Sequence, residues 1–129
     1  MGNVYSAQHV ASHFIYELND LDTFINPIAL QHLLAEVEIA WQKVYDHSIF
    51  TEKTHSLKDV GYVVKEVYDA YKELGEGHIS SPAKEWYLKY GEFQLVYRTY
   101  GIPSYTAEEL RVINNLIEKY RSVIVEKVS

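Results

Sequence analysis

Cysteine is absent from this chain of 129 residues. Without it the protein can form no disulfide bond, no thiolate zinc site and no cysteine nucleophile. The absence of cysteine is typical of a protein that folds in a reducing, intracellular environment. We therefore expect a cytoplasmic protein whose fold does not depend on cross-links.

Glycine and proline are also scarce, with six and three residues respectively. These numbers are too small for a flexible linker or a low-complexity tract, and no internal repeat is visible. A chain of this length buries roughly two-thirds of the surface that its unfolded form exposes. We therefore expect residues 1–129 to form a single domain.

Positive charge is in deficit, and long apolar runs are missing. The formal net charge is −6, and Lys and Arg form no cluster, so we expect no nucleic-acid partner. No apolar run is long enough to span a bilayer, and the N-terminus has neither part of a signal peptide. Residues 1–6 fit the bare pattern for myristoylation of Gly2, but Ser6 is explained more simply as a helix cap. We therefore expect no membrane association.

Apolar residues at helical spacing are the main positive signal. Segment 59–79 shows it most clearly, with an apolar stripe opposite a charged one. Its helix is expected to start between Leu57 and Gly61 and to stop at Gly75, a typical left-handed C-terminal cap. The stripe that we expect to be buried consists of Val60, Val63, Val64, Val67, Tyr68, Tyr71 and Leu74.

Three further helices are predicted from stripes that follow start signals. The signals are Ser6, the pair Asn26 and Pro27, and a capping box formed by Thr106 and Glu109. The first helix should end near Asn19. The second should reach about Asp46 and be the central packing partner. Its expected buried face consists of Leu30, Leu33, Leu34, Val37, Ala40, Trp41, Val44 and Tyr45.

The stretch 82–100 is less clear. Ser81 and Pro82 are typical of a helix start, and Gly91 is typical of a helix end or a kink. In residues 92–100 the apolar positions fit both a strand and a helix. A lone strand would have nothing obvious to pair with, so we interpret this piece as helix, while strand stays open. Five to six amphipathic helices with short connections predict an all-α fold, a compact single-domain bundle.

Catalytic and cofactor motifs are missing as well. There is no phosphate-binding glycine loop, no nucleophile elbow and no pair of histidines around a catalytic glutamate. His9 and His13 lie four residues apart, as do His32 and Glu36, a spacing that lets two side chains share a metal. Neither pair is a complete site. We therefore expect a protein that binds no cofactor and is not an enzyme. The less favoured alternative is a small metal-dependent enzyme that uses these four residues.

Four segments follow a recognisable order. They are residues 28–34 with Trp41 further along, the apolar loop pair 49–50, the segment GYVVKEVYDAYKELG at 61–75, and the turn and helix start at 100–110. Together they resemble the Panacea domain family, whose pattern has a segment like KLQKLLYYAQGW, an apolar loop pair, a helix like VxxVYxxYKxYG and a turn like YGxxSAxEL. The departures include Tyr62, which stands where the family has the proline of a Gly-Pro turn.

The resemblance implies an interaction protein. Panacea domains form the antitoxin half of bacterial and phage toxin–antitoxin pairs, in which the domain binds its toxin directly. We therefore expect a protein-binding module, an antitoxin that neutralises a cognate toxin. The alternative on the same fold is a phage-encoded inhibitor of a host defence enzyme. Whether the chain also forms a homo-oligomer stays open.

Tyrosine is the abundant aromatic residue, with twelve Tyr against four Phe and two Trp. It combines an apolar ring with a hydroxyl, which suits a surface that is wet alone and buried in a complex. Such residues on an acidic helical surface would favour a basic partner. The candidate partner-binding residues are Tyr62, Trp86, Tyr87, Tyr90 and Tyr97. Tyr68 is expected in the core instead.

Overall fold

A computed structural model describes residues 3–80, 82, 84–89, 94–99 and 101–128, with the backbone alone described in 84–89, 94–99 and 124–128. This part of the chain contains five α-helices: α1 (Ala7–Asp20), α2 (Pro27–Tyr45), α3 (Leu57–Val60), α4 (Lys65–Tyr71) and α5 (Ala107–Val128). A 3-10 turn (Lys72–Leu74) extends α4, and the strands β1 (Lys84–Lys89) and β2 (Gln94–Thr99) lie between it and α5. The helical fold class is confirmed, with the strand pair as a local addition.

Helix α2 is the central element, as predicted, because it contacts α1, α3, α4 and α5. The buried core comes mainly from the apolar stripes of the helices, and the loop pair Ile49 and Phe50 packs into it as well. Val44 corrects one prediction: it is exposed, since it lies in the last turn of α2 beside the exposed Gln42 and Lys43. The fully buried large side chains include Phe14, Leu18, Leu30, Leu34, Trp41, Ile49 and Ile113.

Two of the predicted helix caps have the expected hydrogen bonds. The Asn26 side-chain oxygen accepts from the backbone N–H of Ala29 at 2.8 Å. Thr106 and Glu109 form the reciprocal capping box: the Glu109 N–H donates to Thr106 Oγ1 at 3.1 Å, and the Thr106 N–H donates to Glu109 Oε1 at 2.9 Å. Both caps join residues three apart, which is why the sequence alone predicts them.

Ser6 occupies the N-cap position of α1 but does not make the cap hydrogen bond. Its hydroxyl donates to Glu52 at 3.2 Å, and the Glu52 carboxylate accepts from the Ala7 N–H at 2.9 Å. A carboxylate near a helix N-terminus satisfies free N–H groups and complements the helix dipole. The cap of α1 is therefore supplied by a loop distant in sequence.

The predicted helix over 59–79 is interrupted, which corrects the expectation of one continuous element. After the single turn of α3, Gly61 takes φ 81°, and the chain is extended at Val64 before α4 begins. The buried Gln31 side chain accepts from the N–H of Val63 at 2.8 Å and lies 3.5 Å from that of Val64. These N–H groups would belong to helix hydrogen bonds if the helix ran through. The helical segment does stop at Gly75, where the 3-10 turn ends, but the φ of 58° and ψ of −110° at Gly75 lie outside the left-handed helical region that the prediction assigned to it.

Residues 84–89 and 94–99 form strands, so the helices predicted over 82–91 and 92–100 are wrong there, and residues 83, 90–93 and 100 of those predictions lie outside the described residues. β1 and β2 pair antiparallel in the register Lys84 with Thr99 to Lys89 with Gln94. β2 is not a lone strand, because β1 pairs with it. Neighbouring strands in the sequence pair readily through a short connection.

None of the helices, over the residues that the structure describes, is both long and apolar enough to cross a membrane. This agrees with the short apolar runs in the sequence.

Candidate partner-binding site

The five predicted partner-binding residues are described to different extents. Trp86 and Tyr97 lie opposite each other across the strand pair, and Tyr87 lies opposite Val96. For these three the structure describes only the backbone, and Tyr90 lies outside the described residues. Tyr62 is thus the one predicted residue of the five whose side-chain surroundings can be described.

Tyr62 belongs to a cluster of three rings beside the break in segment 59–79. Its half-buried ring meets His55 edge-on, with centroids 5.3 Å apart, and lies tilted against Tyr68 at 5.2 Å. Aromatic pairs in such geometries contribute about 0.5–1.5 kcal/mol beyond their buried area. The residue that departs from the family pattern therefore helps to position a second tyrosine.

Tyr68 is 39% exposed, so the prediction that it lies in the core is wrong. Val67 and Tyr71 take the buried face of α4 in its place. Because α4 begins afresh at Lys65, its orientation is set by Val63 and Val64 docking in the core rather than by continuity with α3. Tyr68 is left at the edge of that face, where its ring is open to solvent.

A cavity of about 360 Å³, here called the α2–α4 cavity, opens beside Tyr68. Helix α2 contributes one wall, and α3, Gly61 and Tyr68 contribute the other. Ile28 on α2 is 55% exposed although it is apolar. The lining residues are Pro27, Ile28, Gln31, His32, Leu57, Lys58, Gly61 and Tyr68. Exposed apolar and aromatic side chains around a concave surface are typical of an interaction site.

A second cavity of about 440 Å³, here called the α2–α5 cavity, adjoins the first. Ile28 and His32 line both, so one turn of α2 forms the ridge between them. Glu36 and Lys119 pair across the second cavity at 3.4 Å. Both side chains are largely exposed, and such pairs contribute at most about 1 kcal/mol. The pair therefore marks the rim rather than holding the helices together.

The four residues that the alternative metal-dependent enzyme would use lie in different surroundings. His9 Nδ1 is 2.8 Å from the Gly101 carbonyl oxygen, while His32 and Glu36 line the α2–α5 cavity. Over the described parts of the chain, no group of three or more His, Asp or Glu side chains is arranged to hold a metal. His13, the fourth residue, is buried with neither ring nitrogen hydrogen-bonded.

Burial lowers the pKa of His13 from its ordinary value near 6.5. The folded protein therefore binds a proton at His13 less readily than the unfolded chain does. As pH falls below about 6.5, the unfolded state binds more protons, so the free energy of unfolding decreases. We expect His13→Leu to remove this dependence and, above that pH, to be neutral or stabilising by about 1 kcal/mol, since unpaired buried nitrogens are lost.

Urea unfolding of both proteins at a series of pH values checks this prediction. His32→Gln, at an exposed position, is the matched control and should keep the wild-type dependence. An unchanged pH dependence in His13→Leu would contradict the assignment to His13.

Sequence reasoning missed the residues that line the α2–α4 cavity, and Ile28 and Gln31 illustrate why. Ile28 carries a usable signal, because it is an apolar residue off the buried stripe of α2. Gln31 does not, since nothing local distinguishes a buried glutamine from an exposed one. Its role depends on Val63, which is 32 positions further along the chain.

No family model, curated protein or solved structure matches this chain. The resemblance to the Panacea domain therefore stays a prediction that rests on the segments quoted from the sequence.

Proposed function

We propose that this chain is a protein-binding module that acts as an antitoxin, neutralising a cognate toxin by direct contact at the α2–α4 cavity. The observation that carries the proposal is the pair of exposed side chains Ile28 and Tyr68 at a concave surface, with the half-buried ring of Tyr62 packed against Tyr68. Interfaces draw most of their affinity from a few such aromatic and apolar anchors. The resemblance to the Panacea domain supplies the choice of a toxin as the partner.

The proposal assigns the chain no reaction, no cofactor and no nucleic-acid partner, and it places the protein in the cytoplasm with its toxin. Expression of the neighbouring gene alone and together with this chain tests it. We expect growth arrest in the first case and growth in the second. A harmless neighbour would argue against the antitoxin and leave a host defence enzyme as the partner to search for.

Mutation of the exposed ring tests the site itself. Tyr68→Ala should weaken toxin binding by about tenfold or more and change the free energy of unfolding by less than about 1 kcal/mol. Tyr62→Ala should act in the same direction, because its ring supports that of Tyr68. Calorimetric titration with the toxin provides the measurement.

Ile39→Ala is the matched control for these two variants. Ile39 is an exposed apolar residue on α2 that lines neither cavity. Equal losses of affinity in this control and in Tyr68→Ala would show that the toxin binds elsewhere.

A further inference from the structure

The net charge of the chain and the charge around the α2–α4 cavity have opposite signs. The whole chain carries −6, with eighteen carboxylates against twelve Lys and Arg. Among the residues that line the cavity, however, none is Asp or Glu, while Lys58 and His32 are present. A partner that enters the cavity meets these groups first. The global charge is therefore a poor guide to what binds there.

Lysines also flank Tyr68 in the chain, one on α4 and one in the 3-10 turn that extends it. Lys65 precedes Tyr68 by three residues and Lys72 follows it by four, so both neighbour its ring on the helix surface. The Asp69 carboxylate forms an ion pair with each of them, at 3.9 Å from Lys65 and 3.4 Å from Lys72. All three side chains are exposed, so each pair is weak and both ammonium groups stay accessible to a partner.

Lys58 supplies a third ammonium group. It lines the cavity, and it has no ion pair with a carboxylate anywhere in the described part of the chain. Among the described residues, no carboxylate lines the cavity beside it. Asp59 follows it on α3 but does not line the cavity, and Glu36 faces the adjoining cavity, where it pairs with Lys119.

We propose that the α2–α4 cavity binds an acidic segment of the partner protein, in which an apolar side chain enters between Ile28 and Tyr68 and neighbouring carboxylates meet Lys58, Lys65 and Lys72. This inference rests on the proposed function in one respect, that the cavity is the protein-binding site. It differs from the expectation, taken from net charge, of a basic partner. Complementary charge at the rim of an apolar anchor raises the association rate and selects the partner.

The apolar floor of the cavity is the reason to favour a peptide over a nucleic acid. The side chains of Pro27, Ile28 and Leu57 offer no donor to a phosphate, whereas they can pack against an apolar side chain. A phosphate backbone is held mainly by Lys, Arg and backbone N–H groups. The lysines around this cavity surround an apolar surface rather than forming a continuous stripe.

Fluorescence anisotropy with synthetic peptides and the full chain tests the proposal. The probe is a short fluorescein-labelled peptide in which leucine and tryptophan are flanked by glutamates. One comparison peptide has lysine in place of each glutamate, and another has serine in place of leucine and tryptophan. We expect the acidic apolar peptide to bind about tenfold more tightly than either, with affinity that falls as salt is added.

Charge reversal then identifies the residues. Lys58→Glu should weaken binding of the acidic peptide by about threefold, and Lys58→Glu combined with Lys65→Glu by about tenfold, with the preference turned towards the lysine peptide. Lys43→Glu is the matched control, because Lys43 is exposed on α2 and lines neither cavity. Thermal unfolding establishes that each variant is folded.

Three results would overturn the proposal: tighter binding of the lysine peptide by the wild-type chain, no binding of the acidic peptide, or equal competition by a single-stranded oligothymidylate. None of them depends on the toxin. Relief of toxicity in cells together with any of these results would refute the acidic segment and keep the antitoxin. Binding of the acidic peptide, together with a neighbouring gene that is harmless when expressed alone, would refute the antitoxin and keep the acidic segment.

Discussion

Replacing Glu109 by alanine is expected to lower the free energy of unfolding by about 3 kcal/mol. Glu109 is 1% exposed, at the start of α5. Its carboxylate accepts from the Asn3 N–H at 2.6 Å, from the Tyr5 hydroxyl at 2.6 Å and from the Thr106 N–H at 2.9 Å. Removing it leaves these donors without their acceptor and releases the N-terminal segment from α5.

The pKa of Glu109 gives this prediction a second, independent readout. Burial by itself would raise the pKa, but hydrogen bonds from Asn3, Thr106 and Tyr5 outweigh it, and the pKa is lowered from 4.5. A lowered folded-state pKa means that the stabilisation is present above the unfolded pKa and is lost as pH falls through the folded one. We therefore expect Glu109→Gln to weaken the loss of stability in acid.

Glu108→Ala is the control, because Glu108 is an adjacent but exposed carboxylate in the same first turn. It should change the free energy of unfolding by less than about 0.5 kcal/mol. Urea unfolding measures all three variants. A Glu109→Ala protein as stable as Glu108→Ala would mean that the hydrogen bonds at Glu109 do not form.

Replacing Gln31 by leucine is expected to lower the free energy of unfolding by about 2 kcal/mol, because a buried N–H group loses its acceptor. Gln31 is 3% exposed, and its side-chain oxygen holds the N–H of Val63 at 2.8 Å. The leucine has a similar volume but cannot accept a hydrogen bond. The segment between α3 and α4, which carries Tyr62, should loosen as a result.

Gln42→Leu controls for the change of residue type, since Gln42 is exposed on the same helix. Its stability should stay within about 0.5 kcal/mol of wild type. Hydrogen exchange at the Val63 amide should speed up in Gln31→Leu and remain slow in the control. Unchanged exchange would show that another group accepts from Val63.

The parts of the fold that were predictable depend on residues close together in sequence. Asn26 caps α2 through Ala29, and Thr106 and Glu109 cap α5 through each other. Gly75 stops its helix by taking a positive φ that other residues adopt at a cost. Helical stripes follow the same rule, because one face of a helix repeats every three or four residues.

The parts that were not predictable depend on residues far apart. Glu52 caps α1 from 45 positions away, and Tyr5 reaches Glu109 from 104 positions away. The break before α4 needs both Gly61, which is visible in the sequence, and the side chain of Gln31, whose role is not. The paired strands have a related cause, because each segment is stable as a strand only with the other as its partner.

The candidate site divides in the same way. Tyr62 could be singled out from sequence because it departs from the pattern of the Panacea family. The exposure of Tyr68 could not, because it follows from the orientation that α4 takes after the break. The alignment of Lys58 with Ile28 and Tyr68 around one cavity also required three separate elements to come together.

The sequence alone determined the helical periodicity, the local caps, the glycine stop and the net charge, because each follows from composition or from residues within a few positions of one another. Tertiary structure decided where the helix over 59–79 breaks, which tyrosine faces solvent and which charges surround the cavity. These depend on hydrogen bonds and packing between distant residues. A chain with a net charge of −6 thus presents lysines around the α2–α4 cavity.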